Sequence, residues 1–421
     1  MHSPSRISQT TSIHSLRIIL NLTHKSSPSS PFKLTHRHPS GIISYSILLP
    51  PSLPANSTAC PRHVDTQGAP ILLQLHGAGV DVDSRMVYEV IASFPPLCAW
   101  LLFPSGVTTW SGDDWHTWGF GDVLSSIHSI RSWIQRSDWK GVGVDSKNWV
   151  VGGHSNGGQG TWYTLLHYPD SVVAAAPVSG YTSIQAYVPY TFWHPSSSSS
   201  SRQAGSQTGV LEAVLNEYRH EGLVGNARGV PVLIQHGGED DNVPTYHSRL
   251  MAQLLAESGS ADSSRYFEVP RGAHWWDGVV TTPPLLAFYH EHIANAHEER
   301  KVPDDGFFEI VVANPVEMGA RFGVRVLYLR RFGVVGRVSV RRKKMMKKRG
   351  GDGEKEGEVW VVETENVMGF EWPRGRLGEL GGIDGVVVGL VDSGREGDEE
   401  GEGVVSFWKD AEGRWSTTVS Q

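Results

Sequence analysis

The sequence predicts an α/β protein: a doubly wound, mostly parallel sheet covered by helices, followed by a small, mostly-β C-terminal domain. Three observations carry this. Short apolar runs alternate with helix-like segments from about Gly41 to Glu299, the pattern of a parallel sheet buried on both faces. Three turns bearing Gly and His sit directly after such runs, where open α/β sheets place their functional groups. Beyond Glu299 the text changes to short Val-rich runs separated by Gly and charged turns, which reads as a small antiparallel sheet or sandwich.

Strands are expected at 42–49, 70–75, 98–103, 149–152, 172–178, 231–235 and 265–269, with helices at 85–93, 121–136, 159–167, 243–257 and 285–297. The domain reading is a disordered tail over 1–40, a catalytic domain over 41–299 and a β-rich domain over 304–421. The tail is rich in Ser, His, Pro and Thr and holds no acidic residue. Its best apolar stretch, 16–22, is broken by Arg17 and Asn21, which makes a poor secretory signal.

A segment over 180–229 interrupts the alternation and reads as a cap-like insertion. It contains Tyr181, Tyr187, Tyr190, Phe192, Trp193 and His194, then six consecutive serines at 196–201, then a helix-like stretch at 210–218. The serine run is expected to be a flexible loop. In the C-terminal region the strongly basic run 341–349 is expected to be a solvated hairpin loop, with acidic loops at 351–357 and 394–403.

Composition excludes several classes. A formal charge of −7 argues against a nucleic-acid binder. No run approaches 18 apolar residues, so no membrane span is expected. No metal motif is present, and no cofactor is expected. Cys60 and Cys98 are the two cysteines; one disulfide and two free thiols are both open readings. Oligomeric state is not legible.

The chemistry lies in the three turns. Gly153-His154-Ser155-Asn156-Gly157 follows Trp149-Val150-Val151 and precedes a segment that can open a helix, the strand–turn–helix setting of a nucleophile elbow. His236-Gly237-Gly238-Glu239-Asp240-Asp241-Asn242-Val243-Pro244 follows Val232-Leu233-Ile234, and Gly272-Ala273-His274-Trp275-Trp276 follows 266–269. A serine hydroxyl needs a base to remove its proton as it attacks, and an acid to hold the imidazole in the right tautomer. Ser155, His274 and Asp240 are the candidates, in the chain order of the α/β-hydrolases. Asp241 is the alternative acid or a helix cap. The oxyanion donors are expected to be the backbone N–H groups of Asn156 and Ala78, the latter in Leu75-His76-Gly77-Ala78-Gly79. Trp115, Trp118, Tyr181 and Trp275 are candidate pocket residues, and Asp113 or Asp114 could receive a substrate amine. The alternative for the tryptophan-rich loop 110–119 is that its rings only pack it onto the sheet.

The elbow, together with the His236–Pro244 turn, resembles the catalytic domain of prolyl oligopeptidase-like serine peptidases over roughly Gly41 to Glu299. The resemblance implies an α/β-hydrolase fold, a metal-independent acyl-enzyme and the roles above for Ser155, Asp240 and His274. Nothing the size of those peptidases' β-propeller precedes Gly41, and 76–79 looks more like a backbone-only oxyanion arrangement, as in esterases. The expected substrate is therefore a peptide or a small ester. A non-catalytic binding protein on the same fold is the rival from another class.

Overall fold

The computed structural model describes residues 30–188, 209–211, 213–348, 354–373, 385–390, 403–409 and 415–420. The expected serine loop at 196–201, the aromatics 190–194 and the acidic loop after 393 lie outside the described residues.

Eight strands form the main sheet: β1 Phe32–Arg37, β2 Ile43–Leu49, β3 Ala69–Leu75, β4 Trp100–Pro104, β5 Val144–His154, β6 Val172–Val178, β7 Val232–Gly237 and β8 Ser264–Val269. Their spatial order is β1-β2-β4-β3-β5-β6-β7-β8. Strands β3 to β8 run parallel, while β1 and β2 pair antiparallel at one edge. Every residue of β3, β4 and β7 is buried, which is why these stretches read as unbroken apolar runs rather than alternating ones. Helices α1 Arg85–Ser93, α2 Thr117–Arg136, α3 Asn156–His167, α4 Tyr246–Leu255 and α5 Pro283–Ala294 accompany the sheet. Among the described residues no helix is long and apolar enough to cross a membrane.

The order of the strands fixes where function can sit. From β3 the chain steps to β4 on one side, then returns to place β5 on the other. The reversal opens a crevice beyond the C-terminal ends of β3 and β5. Leu75 pairs with Gly153 in that ladder, so the turns after the two strands are neighbours.

Two expectations need correction. The tail does not extend to residue 40: 32–37 is the edge strand β1, with Leu34 and His36 buried. The His36 ring meets the Asp122 carboxylate of α2 at 2.6 Å, both side chains fully buried. That partner lies 86 positions away, so no local pattern announces the strand. The basic run 341–348 is also no loop. It continues β11 (Gly336–Lys348), which pairs with β12 (Glu354–Glu365), and the register sets Lys344 opposite Glu358 and Lys348 opposite Glu354. The other basic residues of the run face Val361, Trp360, Val359 and Lys355, so the strand is carried by the backbone ladder rather than by charge alone.

With β9 Phe307–Val312, β14 Gly385–Leu390, β15 Gly403–Lys409 and β16 Trp415–Ser420, this hairpin makes a six-stranded sheet, while β10 Arg325–Leu329 and β13 Val367–Glu371 form a two-stranded ribbon. A second apolar core gathers Phe308, Ile310, Val338, Val340, Trp360 and Val362. It is tied to the main sheet by buried polar groups. The Asn226 side chain donates to the Val311 carbonyl (2.8 Å) and accepts from the Val311 N–H (2.7 Å). Asp170 accepts from the N–H groups of Phe322 and Gly323.

Cys60 and Cys98 form a disulfide that joins the loop after β2 to the start of β4. Cross-linking residues 38 apart removes chain entropy from the unfolded state worth about 4 kcal/mol. Replacing both cysteines by serine is expected to lower the free energy of unfolding by about 2–4 kcal/mol, measured by urea titration; an unchanged midpoint would count against it.

Candidate active site

The elbow is built first. Ser155 follows the last residue of β5 and precedes α3 with φ 60° and ψ −118°, a left-handed backbone rarely tolerated by residues with a side chain. Its N–H is held by the Val178 carbonyl at 2.9 Å. The turn closes only because the next strand comes very near: a Cβ on Gly157 would run into the Leu75 carbonyl. The sharp turn lifts the serine hydroxyl out of the sheet.

His274 arrives on the loop after β8. Its Nε2 lies 2.9 Å from Ser155 Oγ, and its Nδ1 lies 2.8 Å from Asp240 Oδ2 and 3.0 Å from Oδ1. An ionised carboxylate only accepts, so Asp240 fixes the Nδ1–H tautomer and leaves the Nε2 lone pair for the hydroxyl proton. The structure brings Asp240, not the exposed Asp241, to the imidazole. Asp240 also performs the local capping: its Oδ1 accepts from the N–H groups of Asn242 (2.9 Å) and Val243 (2.8 Å). Burial penalises its charge, but His236, His274 and these two N–H groups outweigh that and hold the carboxyl well below the usual carboxylate range.

Ser155, His274, Asn156 and Ala78 line one cavity of about 670 Å³. Tyr181 and Trp275 also line it. The tryptophan loop divides its residues. Trp115 is not a pocket residue: it is fully buried and packs against Gly160 of α3, where any Cβ would collide with its ring. From there its Nε1–H donates to the His76 carbonyl at 3.1 Å, supporting the loop that carries Ala78. Trp118 stands outside the cavity and meets the ring of His38 edge-on at 5.5 Å. The lining residue is Trp110, 66 % exposed at the rim.

Asp113 is spent on capping α2, accepting from the N–H groups of Trp118 (2.8 Å) and Gly119 (2.7 Å). Asp114 is the acidic residue of the cavity wall. Its Oδ1 accepts from the Tyr181 hydroxyl at 2.5 Å and from the Asn156 amide, and its Oδ2 has no hydrogen-bond partner among the described residues, with His116 Nε2 at 4.0 Å. Burial pushes this carboxyl up to about 6. Ser111, Asp114 and Trp115 all have positive φ; such strain concentrates at functional sites, and here it delivers Asp114 and Trp115 to opposite sides of the wall.

Two further residues line the cavity. His154 stands inside the elbow itself, a position that gave no signal beyond the motif, and Tyr187, one of the aromatics of the cap-like segment, stacks on Tyr181 at 4.7 Å and donates to Asn242 Oδ1 at 2.6 Å. Among the described residues no group of three His, Cys, Asp or Glu side chains is placed to hold a metal ion.

Residues 108–295 match the prolyl oligopeptidase family. An uncharacterised secreted protein of Arthroderma benhamiae is 41 % identical over 332 residues, covering 79 % of this chain and 33 % of that protein. The chain thus spans about a third of the length of this curated relative. Among solved structures, Est1E from Butyrivibrio proteoclasticus superposes with a TM-score of 0.41 at 18 % identity, covering 63 % of this chain and 99 % of that one. A puromycin-hydrolysing peptidase of Mycobacterium tuberculosis gives a TM-score of 0.43 at 18 % identity, over 63 % and 40 %. The eight-stranded, mostly parallel sheet with its strand–turn–helix at Ser155 has the α/β-hydrolase architecture.

Two pH effects follow from the buried groups. Asp114 titrates at about 6 when folded against an ordinary 3.8, so its protonated form favours folding and that contribution is lost as pH rises from about 4 through 6. D114N is expected to be about 1–3 kcal/mol more stable than the parent at pH 7, with the gap closing below pH 4. Equal melting curves at both pH values would contradict this. His116, His154, His167 and His220 are all held neutral, chiefly by burial, at about 3, about 4, about 4 and well below 6.5 respectively. Unfolding releases each to bind a proton. Stability is therefore expected to fall as pH drops below 6.5, by about 1 kcal/mol per pH unit for each ring. Urea titrations between pH 7 and 5 measure that slope.

Proposed function

We propose that this chain, whose residues 108–295 match the prolyl oligopeptidase family, is a serine hydrolase that works through an acyl-enzyme on Ser155 and acts as a serine-type peptidase. One observation carries the reading: an unbroken relay from Ser155 Oγ through His274 to Asp240, with contacts of 2.9 and 2.8 Å, opening onto a cavity at the C-terminal ends of the parallel strands. In this mechanism Ser155 Oγ attacks the substrate carbonyl as its proton passes to His274 Nε2. The backbone N–H groups of Ala78 and Asn156 stabilise the oxyanion, each worth roughly 10²–10³ in turnover. The tetrahedral intermediate collapses as His274 protonates the leaving amine. Water, deprotonated by His274, then attacks the acyl-enzyme, and the proton returns to Ser155 as the acid departs.

A carboxylesterase is the second reading, since the first step is shared and the leaving group is then an alkoxide. It is favoured by the cavity wall, where Leu75, Val80, Met86, Val87, Val90 and Phe103 offer an apolar surface suited to an acyl chain. The β-rich C-terminal region, read as a separate domain over 304–421, is proposed to be dispensable for the chemical step, because every residue of the relay precedes it.

A fluorophosphonate probe is expected to label the parent and not S155A. S155A should lower kcat by roughly 10⁶-fold and D240N by about 10⁴-fold. Labelling of S155A would sink the assignment of the nucleophile. Comparison of peptide p-nitroanilides with p-nitrophenyl acyl esters separates the two readings: turnover of esters alone removes the peptidase.

A further inference from the structure

We propose that His154 is a positioning residue for the general base: its ring N–H holds the backbone of His274 in the register that aims the His274 imidazole at Ser155. The inference rests on the acyl-enzyme reading of Ser155 and His274.

His154 is the residue before the nucleophile, at the end of the central strand β5, where the ladder pairs it with Val178 of β6. It is 7 % exposed. Its Nε2 lies 2.6 Å from the His274 carbonyl oxygen. A carbonyl only accepts, so this contact requires the Nε2–H tautomer. The two rings lie 4.7 Å apart, and Trp275 meets His154 edge-on at 5.3 Å. On its other side the ring backs onto the oxyanion loop, where a Cβ on Gly77 would stand 3.8 Å from His154 Nδ1. His154 is therefore wedged between the two loops that the reaction must hold in register, while its own backbone belongs to the rigid sheet.

The loop bearing His274 has other ties, but at a distance from the imidazole. The Gly272 carbonyl accepts from the Glu239 N–H at 2.8 Å, and the Val279 carbonyl accepts from the Gln235 amide at 2.8 Å. Between them, the bond from His154 acts on the residue that carries the base. It also suits the chemistry. His274 gains a proton as Ser155 attacks, and a second cationic ring at this distance would oppose that. Burial and the neighbouring His274 keep His154 neutral, down to about 4, so it supplies a donor without a charge.

The test compares H154F, which keeps a flat ring and removes the donor, with H154Q, whose amide can donate to the same carbonyl. Parent and variants are assayed on the best chromogenic substrate and by the rate of fluorophosphonate labelling. H154F is expected to lower kcat and the labelling rate together by about 10²-fold, as a displacement on the order of 1 Å does, with KM changed less than about threefold. H154Q is expected to recover about tenfold of that loss. A merely structural role would lower the melting temperature and the active fraction without this split, and without rescue by Gln. Parent-like labelling of H154F, or H154Q as slow as H154F, overturns the proposal while leaving the nucleophile assignment intact. A parent that does not label at Ser155 overturns both.

Discussion

The left-handed turn at Ser155 is the constraint from which the rest of the site follows. A backbone of this kind is costly for a residue with a side chain, and it persists because the neighbours leave no alternative. The Val178 carbonyl holds the Ser155 N–H, α3 leaves immediately behind it, and Gly157 lets the end of β3 pass without room for a Cβ. The topological reversal between β3 and β5 then brings the turn after β3 beside the hydroxyl. Two turns separated by about 80 positions in the chain thus become the two walls of one crevice.

Two carboxyls near that crevice show how donors decide protonation. Asp240 and Asp114 are both removed from water, and burial alone drives each toward its neutral form. Asp240 collects His236, His274 and two backbone N–H groups and stays ionised. Asp114 collects one hydroxyl and one amide on a single oxygen, leaving the other without a hydrogen bond among the described residues, so burial wins and its carboxyl rises to about 6. The same residue type thereby supplies a fixed negative charge at one end of the imidazole and, in the pocket wall, a carboxyl that takes up a proton near pH 6. Histidines follow the same logic. His76, His116, His154, His167, His220 and His247 are all pushed toward the neutral ring, chiefly by burial, and the one that faces both a carboxylate and the hydroxyl, His274, remains partly open to the cavity.

Stiffness in the surrounding scaffold comes from specific cross-links rather than from the apolar core alone. The Cys60–Cys98 bridge fixes the loop that feeds β4. The His36–Asp122 contact fastens the antiparallel edge to α2, and Asn226 joins the second sheet to the first through paired hydrogen bonds to Val311. Each of these joins residues far apart in sequence, and the last two satisfy polar groups that would be expensive to bury unpaired.

Much of this was legible in the chain by itself. Buried parallel strands must be apolar along their whole length, so β3 to β7 announce themselves, and the turns that follow them carry the serine, the acid and the histidine in recognisable company. The resemblance of the 236–244 turn also favoured Asp240 over Asp241. Other features depend on partners that no local window contains. Whether a tryptophan in the 110–119 loop faces the cavity or the core depends on Gly160, on the neighbouring helix, so Trp110 and Trp115 look alike in the text and end on opposite sides. The edge strand at 32–37 is held by Asp122, and the basic stretch becomes a strand by pairing with 354–365. Sequence determines which segments must hide from water; the packing of those segments against one another decides which face each side chain sees, because that is settled only by neighbours brought from elsewhere in the chain.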